Sequence, residues 1–157
     1  MRPELADPFP DALRLRRAIR AAGDLYARHE AGQPTREALE AFSRIVGVTV
    51  DAADLDGAFG SVDPDTFAKR PMLSPDRVCG DLDRDEMVEL VERIMTAEGG
   101  EFELEYWIAC VARSSGNPDI AALIFSRAGE SAGAAVIVTQ AIREAGAAVI
   151  ALPPPRG

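Results

Sequence analysis

The chain has 157 residues, enough for one domain or two small ones, and its 47% share of hydrophobic residues argues against disorder over most of its length. Its formal net charge of −9 disfavours nucleic acid and anionic lipid as partners and favours cationic ones. The first residues contain no apolar signal region, and no uninterrupted apolar run approaches the roughly 20 residues that cross a membrane. We therefore predict a cytoplasmic protein without membrane contact.

Helical signals dominate the first half of the chain. Residues 1–10 contain three prolines and are predicted to be a loose lead-in, and apolar residues then repeat at helical spacing from Asp11 to His29. The stretch 71–80, with two prolines and a final glycine, predicts a linker. Residues 1–72 are therefore predicted to form an N-terminal helical region of unknown role. Three further helix starts are expected at the capping residues Thr35, Asp51 and Asp63.

The second half begins with an acidic helix. Asp83 and Glu86 have the spacing of a capping box, and Gly99-Gly100 is expected to end the helix. The segment 83–105 contains nine acids and two arginines, so it carries most of the negative charge of the chain. The buried stripe of this helix is predicted to consist of Met87, Leu90, Val91, Ile94 and Met95.

Two more helices are predicted after it. One runs from Glu101 to Arg113, with Trp107, Cys110 and Val111 in the core, and a loop follows over residues 114–118. The last helix is expected to be capped by Ser131 and closed by Gly146, with an extended tail over residues 147–155. Because no pair of strands is apparent, the sequence predicts an all-α protein.

The sequence contains no catalytic or metal-binding constellation. His29 is the only histidine, and Cys79 and Cys110 form neither a disulfide framework nor a zinc motif. We therefore predict a protein that is not an enzyme and uses no cofactor or metal. Four arginines on the first helix are interpreted as a solvated face, a nucleic-acid contact or a surface that packs on the acidic half: Arg14, Arg16, Arg17 and Arg20.

Residues 81–152 resemble the immunity proteins of nuclease bacteriocins, the E-type colicin and pyocin DNase inhibitors. The resemblance rests on short segments that occur in the same order with nearly ungapped spacing. In chain order they are Glu89–Gly99 (similar to the first helix and turn of that family), Glu101–Val111 (its second helix), Asn117-Pro118 with Leu123-Ile124-Phe125 (its His-Pro…Asp-Leu-Ile-Tyr-Tyr segment) and Ser131–Gly146 (its last helix).

The resemblance implies a distorted antiparallel four-helix fold over residues 81–152, in which the third helix is very short. It also implies a function: such proteins bind a basic nuclease toxin domain beside its catalytic cleft and block DNA by bulk and by negative charge. In that family the second helix selects the toxin, and the short third helix supplies a shared anchor.

The same resemblance implies two sets of partner-binding residues. The second helix and the turn before it contribute Glu98, Glu101, Leu104, Glu105, Ile108, Ala109 and Ala112. The anchor segment contributes Asn117, Pro118, Ala121, Ala122, Phe125 and Ser126.

The chain also departs from the family at the anchor. The family acid before Leu-Ile is Ala122, the tyrosine pair is Phe125-Ser126, the next proline is Arg127, and the histidine before proline is Asn117. Because a few aromatic and charged residues supply most interface energy, an alternative hypothesis is a non-inhibitory interaction or regulatory protein on a degenerate immunity scaffold. Phe125 itself is compatible with either a core position or an exposed anchor.

Overall fold

Every regular element is helical in the computed structural model, which describes residues 1–126 and 131–151, with side chains as far as residue 146. The predicted all-α class is thus confirmed for this part of the chain. None of the helices in it is long and apolar enough to cross a membrane. The helices are α1 (Pro3–Ala6), α2 (Ala12–Glu30), α3 (Arg36–Val46), α4 (Ala52–Ala58), α5 (Pro64–Met72), α6 (Arg84–Met95), α7 (Glu101–Ser115), α8 (Ile120–Phe125) and α9 (Ala134–Ala151).

The chain divides into two compact units that are interleaved in sequence. One unit is Asp7–Arg77, called here the inserted unit. The other, called the composite unit, joins Met1–Ala6 to Val78–Gly157. The boundary after Arg77 lies within the stretch predicted to be a linker, where a single 3₁₀ turn covers Pro75–Arg77.

In the inserted unit, α2 packs against α3 and α5. Ala18 and Ala22 are fully buried on α2, and their small side chains allow the helices to approach closely. The rings of Phe42 and Phe67 stack with centroids 5.3 Å apart. The core of this unit consists of Ala18, Ala22, Leu25, Leu39, Phe42, Val46, Leu55, Phe67 and Ala68.

The predicted helix starts of the inserted unit are correct, but one cap differs. Asp51 accepts a hydrogen bond from the backbone N–H of Asp54, and Asp63 accepts one from that of Thr66. Thr35 precedes α3 without forming a side-chain capping bond. Helix α2 is capped by Asp11, whose carboxylate accepts the N–H of Arg14 at 2.9 Å.

In the composite unit, α6 and α7 pack against each other and both contact α9. The capping box is present, since Asp83 accepts the N–H of Glu86 at 2.8 Å and Glu86 accepts the N–H of Asp83 at 3.2 Å. The predicted stripe of α6 is buried except for Met95, which is 36% exposed at the last helical position. The predicted core residues of α7 are all buried: Trp107, Cys110 and Val111.

The first six residues are not the lead-in that the prolines suggested. Four of them, Pro3–Ala6, form α1, whose Leu5 is 1% exposed. The indole Nε1 of Trp107 donates a hydrogen bond to the Leu5 carbonyl at 2.8 Å. The Arg2 guanidinium donates to both carboxylate oxygens of Glu86, at 2.6 and 2.9 Å. This segment is therefore part of the composite unit, in which it contacts the middle of α7 and the start of α6.

Helix α6 ends four residues before the glycine pair that was expected to stop it. Ala97 adopts a left-handed conformation with φ of 51°. Its N–H bonds to the Ile94 carbonyl, and the N–H of Glu98 bonds to the Arg93 carbonyl. These two bonds form a Schellman motif, which satisfies the terminal carbonyls of the helix. An alanine thus occupies the position where such motifs usually have glycine.

The ends of the last two long helices also differ from the predictions. Helix α7 continues to Ser115, so the loop predicted over residues 114–118 begins two residues later, at Gly116. Helix α9 begins at Ala134, so Ser131 is not its cap, and it passes through Gly146 to Ala151 because the surrounding alanines favour helix. The predicted tail is therefore helical over residues 147–151, and its remaining residues, 152–155, lie outside the described part of the chain.

Candidate protein-binding surface

Helix α7 separates buried side chains from a stripe of accessible ones. Phe102, Tyr106 and Cys110 face the core. Glu101 and Glu105 are exposed, and Leu104, Ile108, Ala109 and Ala112 are half-buried. Positions 101, 105, 108 and 112 follow the spacing at which residues share one helix face. The structure therefore places the residues implied for the second helix on one continuous stripe.

Helix α8 packs against both α7 and α9 and has two distinct sides. Ile120 and Ile124 are buried and hold the helix in place. On the other side Phe125 is 60% exposed and Ala122 is exposed, while Ala121 and Ser126 are half-buried. Of the two possibilities left by the sequence, Phe125 is thus an exposed side chain and not a core residue.

Asn117 has a role inside the fold. Its side chain is buried at 5% exposure and its amide nitrogen donates to the Ala141 carbonyl at 3.2 Å and to the Glu144 carboxylate at 3.4 Å. Its side-chain oxygen accepts the N–H of Asp119 at 2.9 Å. Asn117 therefore joins the start of α8 to α9, whereas the adjacent Pro118 is exposed.

The turn before α7 is held by an arginine between two acids. Arg93 contacts Glu89 at 3.1 Å and Glu98 at 3.3 Å. Gly99 lies directly under the indole of Trp107, because a Cβ built there would be 3.1 Å from two ring carbons. Glu98 is exposed at this turn and precedes the stripe of α7 by one short segment.

The acids of this region are only partly compensated by cations. Arg84 does not pair with a carboxylate but donates to the Thr139 hydroxyl on α9 at 2.9 Å. Arg93 forms ion pairs with Glu89 and Glu98. Arg2 forms a hydrogen bond with Glu86, and this bond is the main cause of the lowered pKa of Glu86. Since residues 83–105 contain nine acids and only two arginines, the segment keeps a negative electrostatic field.

Two ionisable side chains of α7, Tyr106 and Cys110, are buried in the core. Burial raises the pKa of the Cys110 thiol to about 11 and also raises the pKa of the Tyr106 phenol. The Ser114 hydroxyl bonds to the backbone of Leu82 and Cys79, so it links α7 to the preceding segment. Among the described residues, no three His, Cys, Asp or Glu side chains are grouped to hold a metal ion.

No protein-family model, no curated protein and no solved structure matches this chain.

Two features of the composite unit were not predicted from the sequence. The role of Arg2 and Leu5 depends on contacts with residues about 80 to 100 positions away, and α1 has only four residues to signal it. The internal role of Asn117 could have been suspected from the Asn-Pro-Asp sequence, because asparagine side chains often accept the N–H two residues later. Arg127, the last of the departures at the anchor, lies outside the described residues.

Proposed function

We propose that the composite unit is a bacteriocin-immunity-like protein that binds a basic nuclease toxin domain and blocks its access to DNA. The observation that carries this proposal is the accessible acidic stripe of α7 on a helix that packs against α8, where Phe125 is 60% exposed. The ordered family-like segments of the sequence supply the toxin as the partner. The distorted four-helix arrangement of the family is part of the same proposal, with α6, α7, α8 and α9 as its helices.

The chemistry of the surface supports capture of a cationic protein. Exposed Glu101 and Glu105 lie on the same stripe as half-buried Leu104 and Ile108. A polar rim around an apolar centre is common in interfaces. Charges at a rim mainly accelerate association, while an anchor that becomes buried in the complex slows dissociation. We expect the association rate to fall steeply with added salt because the exposed charges are screened.

A second function is supported by Asn117. This position, a histidine in the family, is used internally between α8 and α9, and the acid and tyrosines of the family anchor are replaced. The same surface would then bind a basic protein without inhibiting it, as an interaction or regulatory protein on a degenerate immunity scaffold.

The test mixes the purified chain with the nuclease encoded beside its gene and follows DNA cleavage and gel-filtration profiles. Inhibition at stoichiometric amounts together with co-elution supports the immunity function. Co-elution without inhibition supports the second function. Full cleavage at saturating protein with separate elution refutes both for that nuclease.

A pair of truncations tests the anchor. Phe125→Ala should weaken the complex by about 30-fold, the effect of a hot spot worth ~2 kcal/mol. Val136→Ala is the matched control, because Val136 on α9 is 57% exposed and lies outside the proposed surface. Equal affinities of the two variants would show that Phe125 is not an anchor.

A further inference from the structure

A groove on the inserted unit collects positive charge in a chain that is otherwise acidic. It lies between the start of α2 and the end of α3 and has a volume of about 460 Å³. Its polar lining includes three arginines and one acid, Arg14, Arg17, Arg44 and Asp11, and its apolar lining includes Leu13 and Ile45. This volume falls within the range of protein ligand sites, ~300–1,000 Å³.

The charged groups of the groove are not equivalent. The Asp11 carboxylate is used by the cap of α2, and Arg14 Nε donates to the Ile45 carbonyl at 2.6 Å. Arg14 therefore joins the end of α3 to α2. Arg17 and Arg44 are exposed and form no ion pair within the part of the chain that the structure describes. These two guanidinium groups are available to a partner.

This arrangement works against the stability of α2. Its first turn contains no acid, and Arg14, Arg16, Arg17 and Arg20 all precede Asp24, the first acid of the helix. Cations near a helix N-terminus oppose the helix dipole, and like charges three apart repel each other. Leu13 adds a large apolar side chain that is 62% exposed. Local features that oppose stability are expected where a site requires them.

We propose that this groove docks an acidic segment of a partner protein, with carboxylates paired to Arg17 and Arg44 and an apolar side chain covering Leu13. The planar guanidinium fork matches a carboxylate in a bidentate geometry. The apolar lining favours a peptide, which has apolar side chains, over a bare phosphate backbone. A nucleic acid is disfavoured because its binding needs basic charge over many phosphate contacts, whereas residues 7–77 contain ten Lys/Arg and twelve Asp/Glu.

The experiment uses the full chain and three fluorescein-labelled probes at low salt: a ten-residue peptide of alternating Glu and Leu, the same peptide with Lys for Glu, and a ten-nucleotide single-stranded DNA. Fluorescence anisotropy should show saturable binding of the acidic peptide alone. The double variant Arg17→Glu, Arg44→Glu should weaken binding of the acidic peptide by at least about tenfold, because each substitution removes a charge-assisted hydrogen bond. Leu13→Ala should weaken it by a smaller factor.

Arg28→Glu is the matched control for charge, since Arg28 lies on the same helix, outside the groove, beside Asp24. It should leave peptide affinity within twofold of the parent. Arg44→Gln, which removes charge without reversing it, should give an intermediate loss, and thermal melts should show all variants folded. The proposal is overturned if the acidic peptide fails to bind at 1 mM, if the DNA binds more tightly, or if Arg28→Glu is as damaging as the groove variants.

Discussion

The indole Nε1 of Trp107 donates a 2.8 Å hydrogen bond to the carbonyl oxygen of Leu5, and both residues are buried. The bond joins the start of the chain to the middle of α7, and Leu5 is 1% exposed beside it. The first six residues therefore contribute core to a unit whose other residues begin at Val78.

Replacing Leu5 tests this contribution. We expect Leu5→Ala to destabilise the composite unit by about 2–4 kcal/mol, because it empties a buried site. Urea denaturation followed by the fluorescence of Trp107, the only tryptophan, reports on this unit. Leu13→Ala is the control, since Leu13 is 62% exposed and its loss should change stability by less than about 0.5 kcal/mol. Equal midpoints for the two variants would contradict the packing of α1.

The turn after α6 predicts two substitutions with opposite effects. Ala97→Gly should stabilise the protein by about 0.5–1 kcal/mol, because the left-handed conformation strains alanine by more than the added chain entropy of glycine costs. Gly99→Ala should destabilise it by about 1–3 kcal/mol, because the new Cβ would lie 2.7 Å from the Cβ of Glu103 and 3.1 Å from the ring of Trp107. Urea midpoints of both variants, compared with the parent, provide the measurement.

Arg2 makes stability depend on pH in a defined direction. Its hydrogen bond lowers the pKa of Glu86 below the ordinary value of 4.5, so the stabilising effect is present above that value and is lost as pH falls through the folded-state pKa. Arg2→Met should therefore lower the melting temperature at pH 7 and have progressively less effect towards pH 3. Arg36→Met is the control, because Arg36 pairs with Glu40 while 91% exposed. If Arg2→Met lowered the melting temperature by the same amount at every pH in this range, a contribution from the Glu86 carboxylate would be excluded.

The burial of Cys110 predicts an unreactive thiol. With its pKa raised to about 11 by burial, only about one thiol in a thousand is ionised at pH 8, and alkylation requires the thiolate. In a Cys79→Ser variant, iodoacetamide at pH 8 should label the protein only after urea unfolds it. A Cys110→Ser variant retains half-buried Cys79 and serves as the comparison. Rapid labelling of native Cys110 would show that the core of α7 opens readily.

Local signals explain what could be predicted from sequence. The capping box at Asp83 depends on residues three apart, and the core of α7 follows helical spacing, so both were predicted correctly. The role of α1 depends on partners that are distant in sequence, and no local pattern signals such contacts. The exposure of Phe125 could not be decided either, because α8 has only six residues and Ile124 beside it is equally apolar. The groove was missed because its arginines come from two helices.

The interleaved arrangement of the two units has a consequence for the order in which parts of the chain fold. All the core residues of the inserted unit lie within Asp7–Arg77, so this unit has its partners as soon as it is synthesised. Leu5 and Arg2 are made earlier but must wait for α6 and α7. Domains fold as units during synthesis. Folding of the inserted unit therefore fixes the ends of an approximately 70-residue stretch, which reduces the entropic cost of bringing residues 1–6 into contact with α6 and α7. Leu5 and Arg2 are thus synthesised before the inserted unit but reach their final positions after it.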